Sequence, residues 1–67
     1  MQVEALVSMI NQIASFFAHE GEAQAASSIA DHLRKYWDPR MRKAIVAHVE
    51  AGGAGLAPAA LQAVASL

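Results

Sequence analysis

The sequence predicts a small all-α bundle of three main helices and a short C-terminal helix, folded as a single domain over residues 1–67. Apolar residues recur at the 3.6-residue spacing of helices along most of the chain. No segment shows the two-residue alternation of a strand, and no hairpin turn is present. Two prolines, Pro39 and Pro58, stand where the first residue of a helix is expected.

The first helix is predicted over about residues 3–18 and is apolar around more than half of its circumference. Its predicted inward face holds Val3, Leu6, Val7, Ile10, Ile13, Ala14 and Phe17. Met9 and Phe16 lie on a flank outside this face. A helix this apolar is usually buried on more than one side, so we expect that flank to meet another protein. Gly21 is expected to end the helix in the left-handed conformation.

The segment Trp37-Asp38-Pro39 separates a second helix, about 22–36, from a third, about 39–51. Asp38 is a good N-cap and Pro39 suits the first helical position. The residue before a proline disfavours the helical conformation, so the second helix must stop here. The predicted inward residues are Ala26, Ile29, Ala30, Leu33 and Trp37 in the second helix, and Met41, Ala44, Ile45, His48 and Val49 in the third.

The fourth helix is predicted over about residues 58–66, after the glycine-rich segment 52–55. Its N-cap, Ala57, lacks a capping side chain, but Leu56 and Leu61 have the spacing of a hydrophobic staple. We expect Leu61, Val64 and Leu67 to be buried.

Composition indicates a chain that completes its burial on a partner. Hydrophobic residues make up 55% and charged residues 16%, against a typical charged share of about 25%. A domain of 67 residues has a marginal core of its own. The chain has no cysteine, which excludes disulfides, thiolate metal sites and cysteine nucleophiles. The apolar excess therefore favours an interface with another protein.

Net charge and hydropathy predict neither a nucleic-acid-binding nor a membrane protein. The net charge of −1 provides no bulk attraction to either surface. No apolar run approaches the ~20 residues that span a bilayer. The N-terminus lacks the pattern of a signal peptide, so we expect a cytoplasmic protein.

No motif predicts a catalytic, cofactor-binding or metal-binding residue. His19, His32 and His48 lack any metal-ligand spacing. The glycines at 52–55 follow a helix rather than a strand and lack the Lys-Ser/Thr of a phosphate-binding loop. The serines have no nucleophile-elbow context. We therefore expect a chain that is not itself an enzyme.

All five basic residues lie within residues 34–43, around Trp37. Such a window can contact phosphates, bind an acidic groove on a partner protein, or form solvated helix ends. The rest of the chain is acidic, which ranks nucleic acid last, and the apolar excess favours a partner protein. Trp37 can anchor the core at the helix junction, and one edge of its ring can also serve an interface.

Several motifs resemble one family and together span nearly the whole chain. They are Asn11-Gln12-Ile13 with Phe16-Phe17; Ile29-Ala30-Asp31-His32-Leu33-Arg34 leading to Tyr36-Trp37-Asp38-Pro39-Arg40-Met41-Arg42; and His48, Gly52-Gly53 and Gly55-Leu56-Ala57-Pro58. In this order the sequence resembles the delta subunit of NAD-dependent formate dehydrogenase. Ala57 and Tyr36 depart from the family pattern, where a polar cap and a phenylalanine are more familiar.

The resemblance implies a cytoplasmic complex that oxidises formate to carbon dioxide and reduces NAD. A large catalytic subunit would carry a molybdenum or tungsten pterin and iron–sulfur clusters, and other subunits FMN, NAD and further clusters. The delta subunit would bind no cofactor. It would act as an accessory subunit that stabilises the quaternary structure, or alternatively as an assembly chaperone for cofactor insertion into the apo catalytic subunit. A stand-alone nucleic-acid-binding domain is a third, lower-ranked hypothesis.

We predict that the first-helix flank and the segment around Trp37 bind the large catalytic subunit. The predicted set is Met9, Phe16, Arg34, Trp37, Asp38, Arg40, Met41 and Arg42. In isolation, an unpartnered apolar face leaves self-association open as a further outcome.

Overall fold

The structure, a computed structural model, describes residues 2–67 and shows helices and no strand in that range. The elements are α1 (Val3–Phe17), a 3₁₀ turn (Ala18–Glu20), α2 (Glu22–Tyr36), α3 (Pro39–Glu50) and α4 (Pro58–Ala65). The predicted all-α class is confirmed. The first, third and fourth helices each end one residue before the predicted bound.

The core lies between all four helices, with α2 in contact with both α1 and α4. Its largest fully buried side chains are Leu6, Ile10, Ile29, Leu33 and Ile45. These residues occupy the predicted inward faces of the first three helices. Each helix therefore contributes one apolar stripe, as its sequence spacing requires.

The closest approach between helices is that of α2 and α4, and it depends on alanine. Ala60 and Ala63 of α4 are completely buried, and Ala25, Ala26 and Ala30 of α2 are buried as well. Small side chains allow two helix axes to lie close together. Short side chains, rather than leucines, therefore form most of this interface.

The burial predicted for the fourth helix was partly wrong. Val64 is buried, but Leu61 is only half-buried and Leu67 is exposed. Ala60 and Ala63 occupy the buried face of α4, and the larger Leu61 lies at the edge of that face. Leu67 follows the end of α4 and has no turn of helix to hold it against the core.

The first helical segment ends at Gly21 as predicted, where the Gly21 N–H donates to the Ala18 carbonyl at 3.3 Å, but Gly21 does not adopt the left-handed helical conformation. Gly21 has a positive φ of 87°, but its ψ of 156° lies outside the left-handed helical region. The 3₁₀ turn ends at Glu20, and the Gly21 carbonyl accepts a hydrogen bond from the Ala25 N–H at 2.8 Å. Gly21 therefore serves as the N-cap of α2.

The loop between α3 and α4 is held by side chains from other parts of the bundle. Asn11 Nδ2 on α1 donates to the Gly55 carbonyl at 2.8 Å, and Asn11 Oδ1 accepts from the Ala57 N–H at 3.0 Å. His48 Nε2 donates to the Ala54 carbonyl at 2.8 Å. Since Ala57 cannot cap α4 with its own side chain, Asn11 fixes the chain where it enters that helix.

We expect Asn11→Ala to lower the free energy of unfolding by about 1–3 kcal/mol, because it leaves the Ala57 N–H and the Gly55 carbonyl without their partner. Urea denaturation followed by circular dichroism measures this change. Ser15→Ala is the control, since the exposed Ser15 hydroxyl bonds only to Gln12 of its own helix. Equal stability of the two variants would show that Asn11 does not hold the loop.

Candidate partner-binding surface

An apolar groove of about 350 Å³ runs beside α1 and reaches the end of α2. It is lined by Met9, Gln12, Ile13, Phe16, Phe17, His32 and Trp37. We refer to this feature as the α1 groove. Met9 and Phe16 are about two helical turns apart, roughly 10 Å along the axis, and they define its length on α1.

Two of the large hydrophobic side chains that remain exposed, Met9 and Phe16, line the α1 groove, and a third, Tyr36, lies beside it. The exposed set in residues 2–67 is Met9, Phe16, Tyr36 and Leu67. Phe16 is 77% exposed and Tyr36 is 72% exposed. Tyr36 packs against His32, a lining residue, with ring centroids 4.8 Å apart. Clustering of exposed apolar side chains at one concave site is typical of an interaction surface.

The composition of α1 explains why this surface is apolar. The helix contributes Leu6, Ile10 and Ala14 to the core on one side. It carries no charged residue between Glu4 and its C-terminal end. A four-helix bundle of this size cannot cover a helix all round, so the flank that holds Met9 and Phe16 stays in solvent.

Trp37 belongs to the core and also lines the α1 groove. Its side chain is 5% exposed, and its backbone N–H donates to the Leu33 carbonyl at 3.1 Å. The structure places Trp37 at the helix junction as an anchor. Little of its ring is left for a partner in the groove to contact.

The side chains of Arg42 and Asp38 form hydrogen bonds at the junction between α2 and α3. Arg42 Nη1 donates to the Leu33 carbonyl at 3.2 Å and also to the Trp37 carbonyl. A cation at these carbonyls matches the negative end of the α2 dipole. Asp38 Oδ1 accepts from the Met41 N–H at 2.9 Å, which makes it the N-cap of α3.

The remaining predicted residues differ in how freely they face solvent. Arg34 Nη2 donates to the Ser66 carbonyl at 2.9 Å and so ties α2 to the end of α4. Met41 is half-buried against the core. Arg40 is exposed and makes no hydrogen bond or ion pair with the described part of the chain. Met9, Phe16 and Arg40 are thus the predicted residues whose side chains the fold leaves uncommitted.

Sequence reasoning missed Tyr36 and His32 as members of this surface. They are one helical turn apart on α2, a spacing at which side chains on a helix meet. That signal was present in the sequence, but it did not reveal that α1 passes beside them.

Lys35 is engaged in a local ion pair on α2. Its Nζ lies 2.9 Å from Asp31 Oδ2, and the hydrogen bond that it donates to this carboxylate, followed by the carboxylate's charge, raises the pKa of Lys35. Within residues 2–67, every buried side-chain nitrogen or oxygen has a hydrogen-bond partner. The same residues contain no group of three or more histidines or carboxylates placed to hold a metal ion. None of the helices described is long and apolar enough to cross a membrane.

The family model of the NADH-dependent formate dehydrogenase delta subunit FdsD matches residues 5–64. The chain belongs to this family. The match extends over both walls of the α1 groove and over the junction between α2 and α3. The resemblance inferred from the sequence motifs is therefore confirmed. Curated proteins and solved structures give no match to the chain.

Membership of the FdsD family identifies the chain as a delta subunit of formate dehydrogenase and implies association with the other subunits of that enzyme. Side chains that stay exposed are available for such an association. In this FdsD chain, Met9 and Phe16 are exposed side chains of this kind, and both line the α1 groove.

We expect Arg42→Ala to lower the free energy of unfolding by about 1.5–3 kcal/mol, because charged hydrogen bonds to two carbonyls are lost at the end of α2. Arg40→Ala is a matched control with the same change in charge two residues away. It should alter stability by less than about 0.5 kcal/mol. Thermal and urea denaturation would show both effects, and comparable losses for the two variants would argue against the role given to Arg42.

Proposed function

We propose that this chain is a non-catalytic accessory subunit that stabilises the quaternary structure of formate dehydrogenase by packing against the large catalytic subunit. The observation that carries the proposal is the α1 groove, where Met9 and Phe16 remain exposed together, with the exposed Tyr36 beside it against His32. Family membership supplies the enzyme to which such a subunit belongs. The pterin, iron–sulfur, flavin and nicotinamide cofactors are expected in the other subunits.

The way in which the polar side chains are used supports a binding role. Asn11 and His48 hold the loop before α4, while Asp38 and Arg42 cap helix ends. These groups maintain the shape of the bundle. Met9 and Phe16 at the α1 groove take no part in these contacts and are free to bind a partner.

The energy available from the groove suits a stable subunit contact. Burying a phenylalanine contributes about 1.5–3 kcal/mol, and each 1.4 kcal/mol corresponds to about tenfold in affinity. A standard interface buries about 800 Å² on each partner. The accessible surface of the chain is 4106 Å², so such an interface would cover about a fifth of it. The contact must therefore extend beyond the groove to neighbouring residues.

We expect Phe16→Ser to reduce co-purification with the large catalytic subunit about tenfold or more, because it removes the most exposed apolar anchor. The variant would be introduced in the native host, and the tagged chain would be isolated under native conditions. Subunit stoichiometry and formate-dependent NAD reduction would be measured in the eluate.

Leu67→Ser is the matched control, since Leu67 is exposed but lies outside the groove. It should leave recovery unchanged, and both variants should keep the stability of the natural chain. Full recovery of the complex with Phe16→Ser would contradict a role for the groove. Recovery of wild-type chain only with inactive, cofactor-free large subunit would instead identify an assembly chaperone.

A further inference from the structure

Two unpaired cations stand in the first turns of α3, which begins two residues after Trp37. Arg40 and Lys43 are exposed and lie three residues apart, so their side chains share one face of the helix. The ion pairs found within residues 2–67 join Lys35 to Asp31 and His19 to Glu20, and neither involves Arg40 or Lys43. Neighbouring like charges without a counter-ion are a site for an anionic partner.

Chain geometry limits how far Arg40 can lie from the groove. Arg40 follows Trp37 by three residues, and Trp37 lines the groove. Successive Cα atoms are 3.8 Å apart, so the Cα of Arg40 lies within about 11 Å of that of Trp37. A single partner element that enters the groove can therefore also reach the start of α3.

The opposite wall of the groove carries no charge. Residues 5–18 contain no acidic, basic or histidine side chain. A partner that covers the groove and the start of α3 would thus meet an uncharged apolar wall on α1 and two cations on α3. The complementary surface is apolar in its centre and acidic along one side.

Building on the proposed function, we propose that the α1 groove holds an amphipathic helix of the large catalytic subunit. Its apolar face would pack between Met9 and Phe16, and its acidic side chains would pair with Arg40 and Lys43.

A helix fits the groove better than an extended segment. The distance from Met9 to Phe16 is about two helical turns, which matches anchors at positions i, i+3 or i+4, and i+7 of a docked helix. A segment that binds by β-strand addition would need an exposed sheet edge, and the described residues form no strand.

The test measures how fast the chain associates with the formate dehydrogenase subunits purified from a host strain that lacks it. Arg40→Gln with Lys43→Gln should lower the association rate about tenfold at low ionic strength, because cations beside an interface steer the encounter. This difference should nearly vanish at 1 M salt, where the screening length is about 3 Å. Gln24→Glu with Ser27→Glu is the control. It changes the net charge equally, on exposed positions of α2 outside the groove, and should have little effect.

A zero-length carbodiimide cross-link identifies the acidic partner. It should join the Lys43 amine to an aspartate or glutamate of the large subunit, in a segment with apolar residues at helical spacing. Lys43→Arg should keep the association rate and lose this cross-link, because it retains the charge but not the amine.

Each outcome separates this inference from the proposed function. Association that Phe16→Ser weakens but the Arg40 and Lys43 variants leave unchanged at low salt would overturn the inference alone. A Lys43 cross-link to a segment without helical apolar spacing would also overturn it. Failure of the natural chain to associate would overturn both, and a homodimer that Phe16→Ser dissociates would identify a second copy as the occupant.

Discussion

The turn from α2 to α3 fixes the direction of one half of the bundle relative to the other, and it is held by Trp37 and Arg42. The indole is buried while the backbone of Trp37 closes the last turn of α2. Arg42 then reaches back from α3 to the carbonyls of Leu33 and Trp37. With the two helices tied at this point, Ile45 enters the core one turn beyond Arg42. The position of α3, and with it that of the exposed Arg40 and Lys43, follows from this contact.

The five basic residues of segment 34–43 have different roles in the structure. Arg34 and Arg42 satisfy backbone carbonyls, and Lys35 pairs with Asp31 on its own helix. Arg40 and Lys43 have no such partner among residues 2–67. In the basic segment 34–43, three side chains therefore stabilise the fold, and two remain free at the surface. A guanidinium can bridge carbonyls on two residues because its donors are fixed in a planar fork, which a lysine amine does not offer.

The apolar surface of α1 is a consequence of size. A bundle with one alanine-rich interface, between α2 and α4, can be compact without large side chains. Such a small bundle has no further helix to cover the flank of α1 that holds Met9 and Phe16. Exposing Phe16 to water is costly for an isolated chain, and burial on another subunit removes that cost. The composition of the chain and the shape of the groove thus have the same cause.

The sequence by itself determined the class of the fold, the start of α3 at Asp38-Pro39, the inward stripes of the first three helices, and the separation of Met9 and Phe16 from them. These features depend on local backbone preferences and helical spacing, which neighbouring residues specify. Only the tertiary structure decided that Asn11 reaches Gly55 and Ala57, that Leu67 stays exposed while alanines pack, and that His32 lines one groove with Phe16. These contacts join residues far apart in the chain, and their partners are set by how the helices pack rather than by any local pattern.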